Sequence, residues 1–359
     1  MYKEKRLSRS EYVPIRGLNY HVQIWQSPQP DAQSASAGPL QASSDADQSE
    51  GIFKQGPRDR LGRTAGAAAP SGGSEPHAVG SVGAPLVLVH GWMDVAASYQ
   101  FVIDAFSSAF AEGRTIIAPD WRGFGHTRPV DAAAPTDSYW FPDYLADLDC
   151  LLDHYAGAQS VDLVGHSMGG NVAMIYAGVR PERVHKLVNL EGFGLPESNP
   201  ADAPARYAKW LDELKSMQRG QMTLKAYDDV SGVANRLMKT NPRLPTDRAN
   251  WLAGHWARPD ASGKWQILGD PAHKVTSANL YRAAETLAIY KCITAPVLAV
   301  EASDDSLAIW YKDRYGLGDY HERLKNIADC RVAVVQNAGH MLHHDQPEQL
   351  AGMVEAFLA

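Results

Sequence analysis

The fold is decided by the stretch Val161-Asp162-Leu163-Val164-Gly165-His166-Ser167-Met168-Gly169. Its first four residues are mostly apolar and typical of a short buried strand, and residues 170–177 are typical of a helix. A serine between strand and helix, with glycine two residues before and after it, predicts a strained turn that exposes the hydroxyl. The glycines are needed because strand and helix pass very close together there. The spacing therefore predicts that Ser167 is a nucleophile.

Apolar runs elsewhere predict further strands, at residues 85–89, 115–119, 186–190, 296–300 and 331–335. Partial alternation over residues 15–25 favours an early antiparallel strand. Helical spacing of apolar residues separates the strands, at residues 98–110 and 144–154, and ends the chain at residues 349–358. Strands that alternate with helices predict an α/β fold with a doubly wound, mostly parallel sheet.

Two segments interrupt this alternation. Residues 28–83 are rich in Ala, Gly, Ser, Pro, Gln and Asp, and such a composition buries too little apolar surface to offset its ordering entropy. We expect a disordered or loosely attached insertion there. Residues 195–290 are rich in Trp and Tyr and mostly of helical pattern, which indicates a helical cap. We call them the cap segment. The expected core is then residues 1–27 with 84–194, completed by residues 291–359.

Composition excludes several classes of protein. The formal net charge of −7 and the absence of a Lys/Arg cluster argue against a nucleic-acid partner. Cys150, Cys292 and Cys330 show neither metal-ligand spacing nor the even number of a disulfide framework. The charged first six residues are followed by no apolar stretch, and no apolar run is long enough to span a bilayer. We expect a cytoplasmic protein without a membrane span.

A base must activate the Ser167 hydroxyl, and His340 is the candidate. It lies directly after the last predicted strand, where a loop histidine can reach the serine. His343 and His344 follow closely, so a His-x-x-His-His metal cluster is an alternative. No carboxylate or cysteine set in the sequence completes such a cluster. The sequence therefore predicts neither a metal ion nor an organic cofactor.

Two carboxylates compete to orient His340. Asp305 lies on the loop after the predicted strand 296–300, with Asp304 beside it, and has the better offset from that strand. Glu191 directly follows the predicted strand 186–190, at the entrance to the cap segment. We favour Asp305 and keep Glu191 as the alternative acid.

Backbone N–H groups must stabilise the oxyanion of a tetrahedral intermediate. Met168 offers one at the start of its helix, and Trp92 offers another on the loop after the strand 85–89. Nearby, His90 is expected to pack the loop, and Asp94 is expected to cap a helix.

Two other polar features are interpreted as structural. The loop 120–127 contains glycines but lacks the spacing of a phosphate-binding or dinucleotide-binding loop. We interpret it as a turn at the rim of the site. The acidic residues of the helix 144–154 and its start are interpreted as a solvated face; these are Asp143, Asp147, Asp149 and Asp153.

These motifs together resemble the α/β-hydrolase fold superfamily. They are His90-Gly91-Trp92, the loop 120–127, the Ser167 turn, Arg180-Pro181-Glu182-Arg183-Val184, the Asp305 loop and Gly339-His340, in the family's order. Residues 90–94 look like those of the serine hydrolase-like subgroup. Residues 190–194 are similar to haloalkane dehalogenases whose acid follows the earlier strand. Those enzymes and the related epoxide hydrolases carry an aspartate nucleophile, so Ser167 argues against both activities.

The resemblance implies a serine hydrolase, and we expect a carboxylic-ester hydrolase with a small, apolar acyl substrate. Because one fold hosts many reactions, a carbon–carbon bond hydrolase, a lactonase or a thioesterase with the same triad is an alternative. A non-catalytic binding member of the fold is a further alternative. The aromatic residues of the cap segment suggest an apolar substrate, although they are also the residues of which a helical insert makes its own core.

Overall fold

A computed structural model describes residues 2–26, 83–131 and 136–359. Its strands are β1 (Arg9–Ile15), β2 (Leu18–Trp25), β3 (Leu86–Val89), β4 (Ile116–Pro119), β5 (Arg128–Pro129), β6 (Val161–His166), β7 (Val184–Leu190), β8 (Ala226–Tyr227), β9 (Ala257–Pro259), β10 (Trp265–Ile267), β11 (Val297–Ala302) and β12 (Cys330–Val335). Its α-helices are α1 (Gln100–Ala105), α2 (Ser108–Ala111), α3 (Phe141–Ala156), α4 (Met168–Val179), α5 (Ala203–Gln218), α6 (Val230–Thr240), α7 (Thr246–Trp256), α8 (Ala283–Tyr290), α9 (Ser306–Tyr311), α10 (Leu317–Leu324), α11 (Leu342–Asp345) and α12 (Pro347–Leu358).

In the described part of the chain, nine strands form one sheet in the order β1-β2-β4-β3-β6-β7-β11-β12, with β5 also paired to β2. The six strands from β4 to β12 are parallel to one another, and the pairings of β2 are antiparallel. The predicted mostly parallel sheet is therefore confirmed. Parallel strands end at the same edge, so the loops after β3, β6, β7, β11 and β12 meet there.

Side chains of the parallel strands alternate between two apolar cores, as the period of a strand requires. Val87, Leu163 and Leu187 face one core, which α3, α4, α8 and α10 cover. Leu88 and Val164 face the other core, which α1, α2 and α12 cover. Helices on both faces are the doubly wound arrangement that the sequence predicts.

The predicted early strand at residues 15–25 is wrong in one respect, because the chain reverses inside it. β1 and β2 form a hairpin whose register pairs Ile15 with Leu18. Arg16 and Gly17 form the two-residue turn, with positive φ values of 48° and 77°. Two positive φ angles are typical of the turn that joins tightly paired antiparallel strands.

The expected cap segment, residues 195–290, holds α5 to α8 and a small antiparallel sheet of β8, β10 and β9. A separate cluster of buried apolar residues joins α6 and α7 to Val95 and to Phe101 of α1. The expected insertion at residues 28–83 lies outside the described residues except for Gly83.

The expected solvated acidic face of α3 is wrong for one residue. Asp147 is fully buried and accepts hydrogen bonds from Arg122 at 2.6 and 2.7 Å, from Arg16 at 2.8 Å and from the Tyr20 hydroxyl at 2.6 Å. Its partners come from distant parts of the chain, so the spacing along α3 could not reveal them. Within the three described ranges, every helix is too short or too polar to cross a membrane.

Candidate active site

Ser167 lies between β6 and α4 in a backbone conformation that residues other than glycine rarely adopt, with φ 52° and ψ −114°. Its N–H donates a hydrogen bond to the Leu190 carbonyl at 2.8 Å. A Cβ at Gly165 would lie 2.4 Å from the Gly169 carbonyl oxygen, and a Cβ at Gly169 would lie 2.2 Å from the Val89 carbonyl oxygen. Neither position can hold a larger residue, which is the reason that the turn needs glycine at both.

His340 lies on the loop between β12 and α11, and its imidazole contacts Ser167. The Ser167 hydroxyl donates to His340 Nε2 at an Oγ–Nε2 distance of 2.9 Å. On the other side of the ring, Nδ1 is 3.3 Å from Oε2 of Glu191. Burial lowers the pKa of His340 to about 4, so the imidazole is neutral at pH 7. This arrangement can move a proton from the serine hydroxyl to the histidine.

The carboxylate that contacts His340 belongs to Glu191, the alternative acid, and not to the favoured Asp305. Asp305 is exposed and caps α9 by accepting a hydrogen bond from the Ala308 N–H at 2.9 Å. Among the described residues it makes no hydrogen bond to His340. Asp304 pairs instead with Arg243 at 2.7 Å. The physical reason is that helix capping and a surface ion pair turn both aspartates away from the site.

Glu191 is placed by the register of the sheet. His166 of β6 pairs with Leu190 of β7, so the next residues, Ser167 and Glu191, leave neighbouring strands side by side. Glu191 also has a positive φ, 55°. Its carboxylate is buried and accepts from the Ala302 N–H and the Ser306 hydroxyl, each at 2.7 Å. Burial nevertheless raises its pKa to about 7, against the lowering effect of those two donors.

The loop after β3 lies against Ser167. A Cβ added to Gly91 would lie 3.1 Å from the Ser167 Cβ, and the exposed indole of Trp92 lines the same cavity as Ser167. His90 is buried, and its Nε2 accepts from the Trp121 N–H at 2.9 Å. The ring proton is therefore on Nδ1, which donates to the Gly91 carbonyl at 2.7 Å. That bond fixes the peptide plane that carries the Trp92 N–H.

The loop 120–127 serves as structural support. Asp120 is buried and accepts from the Ala96 N–H and the His126 N–H, each at 2.8 Å. His21 lies 2.7 Å from the same carboxylate. These contacts agree with its interpretation as a structural turn.

A cavity of about 730 Å³ opens above Ser167. Aromatic and aliphatic side chains from the core and from the cap segment dominate its lining, among them Trp140, Phe193, Leu280, Tyr281 and Trp310. The Trp310 ring meets the His340 ring edge-to-face at a centroid distance of 4.4 Å. The cavity can therefore hold an apolar group next to the hydroxyl.

Sequence reasoning missed a second polar cluster, which lies behind Ser167. Asp94, His166 and His343 are all buried, with a potential ligand atom of each within 4.8 Å of the others. Burial lowers the pKa of His166 to about 3 and of His343 to about 4. The expectation that Asp94 caps a helix describes the contacts of its Oδ1 atom but not the surroundings of its Oδ2 atom. Its Oδ1 accepts from the Val95 N–H and the Ser98 hydroxyl at the start of the turn before α1.

Comparison with known proteins identifies the fold family. A model of the α/β hydrolase fold matches residues 84–347. A serine hydrolase-like protein of Danio rerio is 23% identical over 285 residues, covering 77% of this chain and 82% of its own. A 2-hydroxymuconate semialdehyde hydrolase of Pseudomonas sp. (strain CF600) is 33% identical over 141 residues, covering 38% of this chain and 46% of its own.

Among solved structures, the thioesterase domain from the curacin biosynthetic pathway has the same fold. Its TM-score is 0.67 at 20% sequence identity, over 97% of this chain and 99% of that one. The matched residues of the family model include the Ser167 turn, Glu191 and His340. The chain therefore belongs to the α/β hydrolase fold family.

Proposed function

We propose that the protein is a serine hydrolase that cleaves a carboxylic ester through Ser167, His340 and Glu191. The observation that carries the proposal is the chain of contacts from Ser167 Oγ to His340 Nε2, at 2.9 Å, and from His340 Nδ1 to Glu191 Oε2, at 3.3 Å. A nucleophile, a base and an orienting acid in this order are the parts that acyl transfer needs.

In the first step, Ser167 Oγ attacks the ester carbonyl carbon and its proton passes to His340 Nε2. Glu191 stabilises the imidazolium that forms and holds its Nδ1–H. The N–H groups of Trp92 and Met168 are the proposed donors to the oxyanion. The closeness of Gly91 to Ser167 and the His90 bond to the Gly91 carbonyl support Trp92 in that role.

The intermediate then collapses, His340 gives the proton to the leaving alkoxide, and an acyl ester remains on Ser167. A water molecule, deprotonated by His340, attacks that ester, and His340 returns the proton to Ser167 Oγ as the carboxylic acid is released. The apolar lining of the cavity favours an acyl or alcohol portion that is aliphatic or aromatic.

Labelling with a fluorophosphonate tests the proposal directly, because the reagent phosphonylates only an activated serine. We expect stoichiometric labelling of the wild type, measured by intact-protein mass spectrometry, and none of Ser167→Ala. Ser306→Ala serves as the control, since the Ser306 hydroxyl donates to the Glu191 carboxylate and makes no hydrogen bond to His340 among the described residues. An unlabelled wild type, or equal labelling of Ser167→Ala, would disprove the proposal.

A carbon–carbon bond hydrolase is the second candidate, favoured by the 33% identity to the Pseudomonas semialdehyde hydrolase over 141 residues. A panel of nitrophenyl esters, lactones, acyl thioesters and vinylogous diketones separates the two. We expect the highest kcat/KM for apolar esters. A higher kcat/KM for the diketones would favour the second candidate while leaving the labelling result unchanged.

A further inference from the structure

Three buried side chains behind Ser167 present unsatisfied polar atoms to one another. Asp94 Oδ2, His166 Nδ1 and both ring nitrogens of His343 have no hydrogen-bond partner among the residues that the structure describes. The exposed fractions of the three residues are only 3%, 2% and 0%. Buried polar atoms are nearly always paired, so four unpaired atoms together require an explanation.

Asp94 Oδ1 and His166 Nε2 already have hydrogen-bond partners, and these partners determine whether Asp94 Oδ2 and His166 Nδ1 are donors or acceptors. Asp94 Oδ1 accepts from Val95 N–H at 2.9 Å and Trp256 Nε1–H at 3.0 Å. His166 Nε2 lies 2.8 Å from the His340 carbonyl oxygen and must donate to it. Its Nδ1 therefore carries a lone pair. A carboxylate oxygen and an imidazole lone pair, both acceptors, face the same buried space.

The third residue, His343, lies beside Asp94 but does not hydrogen-bond to it. The nearest nitrogen of His343, Nε2, is 3.7 Å from Asp94 Oδ2, which is too long for a hydrogen bond. One potential ligand atom from each of the three residues lies within 4.8 Å of the others. Ligands of a tetrahedral ion at about 2.0–2.2 Å are roughly 3–4 Å apart, so movements of about an ångström bring them together.

We propose that Asp94, His166 and His343 bind a divalent transition-metal ion, with Zn²⁺ as the ion that best fits the ligands. Two imidazoles and one carboxylate suit Zn²⁺ and its first-row neighbours, whereas Mg²⁺ and Ca²⁺ prefer oxygen ligands alone. The carbonyl of His340 on Nε2 of His166 is the kind of outer partner that fixes the tautomer of a metal-bound histidine. A fourth position is left for a solvent molecule.

The site goes beyond the proposed hydrolase and is structural in kind. Asp94 lies on the loop after β3, His166 is the last residue of β6, and His343 belongs to α11, so the three ligands adjoin Trp92, Ser167 and His340. A bound ion would link these three segments behind Ser167. It would also fix the His340 backbone through the hydrogen bond from His166 Nε2 to the His340 carbonyl.

Metal content tests the proposal. Because the ligands are buried, the full chain is expressed in zinc-supplemented medium, dialysed at low free Zn²⁺ and analysed by plasma mass spectrometry. We expect about one zinc ion per chain, a rise in Tm on loading, and visible d–d absorption when the protein is refolded with Co²⁺. Replacing one of the three direct ligands should weaken zinc binding by more than the ~10–100-fold that is typical for residues that only hydrogen-bond to a ligand.

His343→Phe keeps the ring but removes the ligand, so we expect it to lose the zinc ion. His344→Phe is the matched control, since His344 is adjacent and equally buried but outside the set of three, and it should keep the ion. Ser167→Ala should also bind zinc, which makes this test independent of the hydrolase proposal. A wild type free of metal and without Co²⁺ absorption, or zinc retained by His343→Phe, would overturn the site.

Discussion

Glu191 and Asp305 show how the orientation of one side chain distinguishes the favoured acid of the sequence analysis from its alternative. Both follow parallel strands at the same edge of the sheet. Glu191 has a positive φ and turns into the site, a conformation that costs about 1–3 kcal/mol, while Asp305 caps α9. Sequence spacing gives the loop on which an acid lies, but it does not give the direction of the side chain, so the choice could not be made from the sequence.

Substitution of the two acids distinguishes them by activity. We expect Glu191→Gln to lower kcat by about 10³–10⁴-fold, because an amide cannot hold the His340 tautomer or stabilise the imidazolium. Asp305→Asn should change kcat by less than about threefold, since asparagine also caps helices. Steady-state kinetics on an apolar nitrophenyl ester measures both. Equal losses in the two variants, or a larger loss in Asp305→Asn, would contradict the geometry.

The raised pKa of Glu191 also predicts a pH-dependent stability difference. Its pKa rises from the ordinary 4.5 to about 7 in the folded protein. The protonated form is therefore favoured by folding, and this contribution is full below pH 4.5 and lost as the pH rises through 7. Glu191→Gln should then raise the free energy of unfolding by about 1–3 kcal/mol at pH 8 and change it little at pH 4. Urea unfolding at the two pH values checks this, and a gain of equal size at both would argue against it.

At the scale of elements, the close contact of β6, α4 and the loop after β3 depends on Gly169. We expect Gly169→Ala to destabilise the fold by several kcal/mol, because its Cβ would lie 2.2 Å from the Val89 carbonyl oxygen. Gly352→Ala is the matched control. Gly352 lies in α12 with open space around its Cβ position, so alanine there should stabilise by up to about 1 kcal/mol. Thermal unfolding compares the two, and a mild effect at Gly169 would refute the argument.

Elements with a local signal could be predicted from the sequence, and those that depend on distant partners could not. The apolar runs that became β3, β4, β6, β7, β11 and β12 are such local signals. The turn at Arg16–Gly17 was missed although the alternation of apolar residues breaks there, since Ile15 and Leu18 are three positions apart rather than two. The cluster of Asp94, His166 and His343 was missed because its members are 72 and 177 positions apart along the chain, so that only the closing of the sheet brings them together.

At the scale of the whole molecule, the expected insertion can be tested by deletion. Gln26 hydrogen-bonds to Thr115 at 3.0 Å, and Gly83 lies against Arg114. Arg114 and Thr115 are neighbours in the sequence, so the chain leaves and re-enters the described core at nearby points. We expect a variant lacking residues 29–81 to keep its Tm within a few degrees and its kcat/KM within about threefold, because the contacts among the described residues do not involve the deleted segment. Calorimetry and ester kinetics measure this. A large loss of either would show that the segment belongs to the fold.

The three residues of the proposed triad leave three different strands, β6, β7 and β12, and span most of the length of the core. No partly folded chain can bring them together without pairing all of those strands. A fluorophosphonate added during refolding would therefore label only molecules in which these strands have paired. The labelled fraction at each time would measure the rate at which this part of the sheet forms. The apolar cluster that joins the cap segment to Val95 and Phe101 contains Trp251, Trp256 and Trp265, so the fluorescence of these tryptophans would report a different event.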